Sequence, residues 1–212
     1  MHSPTLAPRQ PAHTVRLLML VACTSTALLA IVLLLQVWRD IPTEHLTRDP
    51  NAIFDVQMYI GFLSQAGIFV WAATAGICLF CARIASARAA IELARFALAA
   101  GLVTLLLGLD DAFMLHEQFF PFLGIPEKMV YVLYGVCVLA FLLRFRAQIL
   151  QHDYLLLALA LMLFALSVSL DWLQPEGIDI FLVEDGAKMT GILSWSAFFL
   201  SALLRRLVQP AG

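Results

Sequence analysis

Residues 93–117 read LARFALAAGLVTLLLGLDDAFMLHE. After Arg95 the stretch carries no charge until its far end, where Asp110, Asp111, His116 and Glu117 follow in quick succession. Its apolar part is long enough to cross a hydrocarbon core of about 30 Å as a helix rising about 1.5 Å per residue. Asp110 then lies about 26 Å along that helix. Lipid is a poor solvent for carboxylates and imidazole. The stretch therefore predicts a membrane helix that delivers polar groups to one face, and something there that compensates them.

The rest of the chain repeats the apolar theme. Of 212 residues, 62% are apolar and 13% charged, against about 45–50% and about 25% in a soluble domain. The reading is all-α: a polytopic bundle of six transmembrane helices over 15–207, with spans near 15–38, 55–82, 93–117, 129–145, 154–173 and 180–204. Residues 1–14 and 208–212 read as tails, the first of them cytoplasmic. The first apolar run is too long for a signal peptide and continues well past the lipobox-like Leu20-Val21-Ala22-Cys23. Cys23, Cys78, Cys81 and Cys137 all fall in apolar segments and read as buried small hydrophobes. The net charge of -2 argues against a nucleic-acid partner.

Arginine sets the expected orientation. With both termini in the cytoplasm, the inner side holds Arg9, Arg16, Arg83, Arg88, Arg95, Arg144, Arg146, Arg205 and Arg206, and the outer side only Arg39, Arg48 and Lys128. Excess Lys and Arg mark cytoplasmic loops. The acids gather on the other side, so the polar cluster is expected to face the outside of a bacterial inner membrane.

Three helices bring charge to that level. Asp110, Asp111 and Glu117 come from the third span, Asp171 from the fifth, and Glu184, Asp185 and Lys188 from the sixth. Gln57 and Tyr59 are expected at the same level on the second span. Asp110 and Glu117, seven apart, face one way, so His116 needs the helix end to unwind or a partner of its own. Lys188 is i,i+4 from Glu184 and i,i+3 from Asp185, which predicts a local ion pair.

Acids outnumber bases here, so water, shared protons or a bound cation must compensate them. A divalent metal ion is one expectation, with Asp110, Asp111, His116 and Asp171 as ligands. Glu117 or Glu184 would then be the general base, and Lys188 would steady developing negative charge. The substrate would be a lipid-linked ester, amide or phosphoester, reached from the surrounding membrane lipid. A second expectation is a cation or proton transporter; a third is a non-enzymatic sensor or partner protein. The plainest reading leaves Asp110, Asp111 and Glu117 solvated just outside the membrane.

Two motifs carry a resemblance. Asp110-Asp111, His116-Glu117 form D-D-x4-H-E, and Glu184-Asp185, Lys188 and Gly191 form E-D-x2-K-x2-G. Together they resemble a pattern in uncharacterised bacterial multi-span proteins. In architecture alone, a bundle with Asp and His near one face is similar to the alkaline ceramidase and adiponectin-receptor superfamily, which implies zinc hydrolase chemistry. That superfamily has seven spans and an H-x-x-x-H pair; six spans are expected here and no such pair occurs.

Overall fold

The computed structural model describes residues 11–48, 50–57, 59–175 and 179–208. Among them there is no strand, and six helices are long and apolar enough to cross a membrane. The chain divides into two compact units, Met1–Ile60 and Gly61–Gly212.

The first unit holds α1 (Pro11–Arg39) and the short helices α2 (Thr43–Thr47) and α3 (Pro50–Ile53). The first span, Thr14–Arg39, has mean hydropathy 2.6. Most residues of the expected N-terminal tail, and those after Val208, lie outside the described residues.

The second unit is a five-helix bundle: α4 (Phe62–Ala87), α5 (Ile91–Phe113), α7 (Glu127–Leu150), α8 (Tyr154–Leu173) and α9 (Ile180–Val208). A one-turn π-helix (Leu115–Phe119) and α6 (Phe120–Phe122) join α5 to α7. The α4, α5 and α9 helices pack closely, with α8 against α9. Close approach needs small residues: a Cβ on Gly191 would stand 2.7 Å from Phe164 Cε1, and one on Gly108 would stand 2.8 Å from Trp71 Cβ.

One end of the bundle is closed. Phe96, Phe198 and Phe199 are fully buried there. Ring centroids lie 5.9 Å apart for Phe96–Phe141 and 5.0 Å for Phe198–Phe199. The turn between α7 and α8 is pinned to the end of α9. Arg205 donates to Asp153 Oδ2 at 2.8 Å, and Arg206 donates to Gln151 Oε1 at 2.8 Å and to His152 Nε2 at 3.1 Å.

Several expected boundaries move. The second span starts at Phe62, not near residue 55, because Asp55 and Gly61 both adopt left-handed backbone (φ 49° and 71°) and break the helix. The third helix stops at Phe113, not 117, where Met114 turns left-handed (φ 48°, ψ 47°). The fourth runs on to Leu150 instead of ending at 145, bending at Phe145 (φ -112°, ψ 16°) rather than stopping between the two arginines.

Candidate functional site

The site is made by the way α5 ends. Met114 N–H still bonds to the Asp110 carbonyl, closing the last turn. Its left-handed backbone then swings the chain back, and the π-helix presents His116 to Asp110. Glycine is the usual residue at such a cap. A methionine there carries strain of about 1–2 kcal/mol. Strained residues and π-helical turns both concentrate at functional sites.

Asp110 is buried and fully engaged. Its Oδ2 lies 2.5 Å from His116 Nδ1. Its Oδ1 accepts the His116 backbone N–H at 2.9 Å and the Tyr134 hydroxyl at 2.8 Å. This fixes the imidazole ring with Nδ1 toward Asp110 and leaves Nε2 3.4 Å from Glu117 Oε1. The Tyr131 ring flanks the imidazole, 4.8 Å between centroids. His116 lies beyond the end of the span, and its pKa is raised from 6.5. Burial works against the charged ring, but the hydrogen bond and charge of Asp110, helped by Glu117 and Glu127, outweigh it.

Asp111 takes another partner. Its buried carboxylate is paired through Oδ1 with Lys188, reaching across from α9. The expected pairing of Lys188 with Glu184 or Asp185 therefore gives way. A buried carboxylate needs a counter-charge more than a solvated one. Asp111 Oδ2 is also buried, with no hydrogen-bond partner among the described residues.

These groups line one cavity of about 610 Å³, within the range of small-molecule sites. Asp110, Asp111, His116, Glu117, Asp171, Glu184 and Lys188, all expected from the sequence, lie on its wall. Asp185 instead borders a void of about 20 Å³ next to Ser64 and Lys188. Gln57 and Tyr59 are exposed and precede α4 instead of riding on it, so neither belongs to the second helix. Sequence reasoning passed over Tyr131 and Tyr134. Two phenols three apart on an apolar helix were the available signal, since a buried hydroxyl seeks a partner.

Among the described residues no three His, Cys, Asp or Glu side chains form a group that could hold a metal ion. A divalent ion brought here would meet His116 Nε2 and Glu117 first, with Asp110 behind the ring fixing its tautomer.

A family described as Domain of unknown function (DUF8692) matches residues 17–202. The chain belongs to this family. The matched range contains every residue of the cavity wall, from Trp71 to Trp195, so the site is part of the DUF8692 domain itself. Arg205 and Arg206, which pin the closed end, lie just past it. No curated protein and no solved structure matches the chain.

Proposed function

We propose that this multi-pass membrane protein is an enzyme that uses His116 as an acid–base group on a lipid-linked ester, amide or phosphoester. The observation that carries the reading is the buried Asp110–His116 pair at the polar end of a cavity whose other walls are largely apolar. An aspartate on Nδ1 fixes the tautomer and stabilises the imidazolium that forms. His116 Nε2 would take a proton from water, in hydrolysis, or from an acceptor hydroxyl, in transfer. As the bond to the leaving group breaks, the same proton passes to that group. Lys188, on the cavity wall, would steady the negative charge that develops on the attacked centre.

The arginine bias supports an orientation with both termini in the cytoplasm and the site at the outer face of a bacterial inner membrane. The aromatic plug at the closed end favours a one-sided site over a path through the bundle.

The test is turnover by purified full-length protein in nanodiscs, screened by mass spectrometry against ester, amide and phosphoester lipids, with and without added divalent cations. His116→Ala should lower turnover about 10²–10⁴-fold, the usual worth of a positioned acid–base group. Asp110→Asn should depress the pH at which activity half-appears. Full activity in His116→Ala would sink the proposal.

A further inference from the structure

The shape of the cavity says what it takes. The α7 and α8 helices are joined by the short turn 151–153, yet among the described residues their backbones make little close approach. The cavity lies between them. From Tyr131 to Leu142 on α7 is eleven residues, about 16 Å of helix; both line the same wall. Away from the dyad that wall is apolar, with Leu139, Leu142, Leu161 and Phe164. Gly135 and Leu139 on one side and Ala165 on the other line it and are also exposed. The slot thus opens sideways between two spans, toward acyl chains.

The polar end is electrically one-sided. Asp110 is held by His116, and Asp111 by Lys188. Asp171 and Glu184 line the cavity with no salt bridge among the described residues, and Glu117 Oε1 lies 3.4 Å from His116 Nε2. Asp111 Oδ2 is buried on the α4 side, 3.8 Å from where a Cβ on Gly67 would stand, and takes no part in this end. The Tyr131 and Trp172 rings stand beside this end, 5.9 Å between centroids, with Lys128 Nζ already 5.7 Å from the Trp172 centroid. Carboxylates without a paired base at the end of an apolar slot suit a protonated amine.

We infer that the slot between α7 and α8 binds an amine-bearing amphiphile laterally from the bilayer, its acyl chain along Leu139 and Leu142 and its ammonium between Asp171 and Glu184. This rests on the proposed function for its role as substrate, but the binding site stands independently of turnover.

Trp71 and Trp195 line the cavity and report its filling. In a Trp38→Phe/Trp172→Phe background, a long-chain alkylamine brominated on its chain should quench their fluorescence saturably in micelles. The brominated carboxylate of equal length should bind at least about tenfold more weakly, equivalent to about 1.4 kcal/mol. A Cβ at Gly135 meets nothing within 4 Å. Gly135→Leu should therefore fold normally and abolish the saturable quenching; Ala165→Leu plugs the slot from the other wall. Asp171→Asn/Glu184→Gln should weaken the amine about tenfold. Equal or tighter carboxylate binding would overturn the cationic head group. Undiminished quenching in both plugged variants would overturn the slot. His116→Ala should keep amine binding. Saturable binding without turnover by any lipid would thus sink only the enzyme reading. Turnover without saturable amine binding would sink only this one.

Discussion

The two ends of the bundle are built from the same helices by opposite rules. At the closed end, Phe96, Phe141, Phe145, Phe198 and Phe199 interlock, with ring centroids 5.0 to 5.9 Å apart. The polar groups there sit outside the core and tie a turn to a helix end. At the open end the helices stand apart around a cavity, and the charges are inside. Hydrophobic burial gives little drive between helices in lipid, where side chains and acyl tails are equally apolar. Packing must hold the bundle, and here the closed end supplies it. The open end can then keep a void, a strained residue and buried charge, which is the usual division between scaffold and site.

If that division is right, deletions should be costly at one end and cheap at the other. Phe96→Ala should destabilise the protein by about 3 kcal/mol, the low end for a buried Phe because lipid replaces water as the reference solvent. Leu139→Ala, facing the slot, should cost under about 1 kcal/mol. Unfolding in mixed micelles checks both, and equal losses would break the comparison.

Buried charge is the exception at the open end. Lys188→Met should cost about 3 kcal/mol, the usual cost of leaving one charge of a buried pair without its partner. Adding Asp111→Asn should restore much of the loss. A double variant no better than the single one would mean that Lys188 matters through packing.

A smaller effect should run the other way. Met114→Gly removes the left-handed penalty and should stabilise the folded protein by about 1 kcal/mol. If stability falls instead, the Met114 side chain and its contact with Gln118 outweigh the strain.

The smallest effect should be a pH response of opposite sign at the two ends. His152 lies outside the spans, and its pKa is lowered from 6.5, first by burial and then by Arg206 and Arg205. Neutral His152 therefore stabilises the closed end above 6.5, and that stability is lost as pH falls through its depressed folded value. His116, raised from 6.5, gives stability fully present below 6.5 and lost as pH rises through its folded value. Amide exchange should loosen residues 149–156 in acid and 110–119 in mild base. Parallel responses at both ends would contradict these assignments.

Much of this was legible in the residues. Six apolar runs of spanning length left one fold class open, because a continuous apolar run of that length satisfies its own backbone in lipid as a helix. The cavity charges were legible too, since ionisable groups within apolar runs stand out. The site's pairing was not. Helical periodicity placed His116 away from Asp110, and only unwinding at Met114 brings them together. Local spacing likewise pointed Lys188 to Glu184 and Asp185. The buried Asp111, on another helix, holds it instead.

The sequence by itself determined what must be buried in lipid and how many times the chain crosses it, because transfer free energy depends on composition and length. It also determined that the polar groups gather at one end. Tertiary structure decided which acid meets which base, and that α7 and α8 part to leave a slot. Those outcomes depend on one residue's left-handed backbone and on how helices far apart in the chain fit together, and neither carries a local pattern.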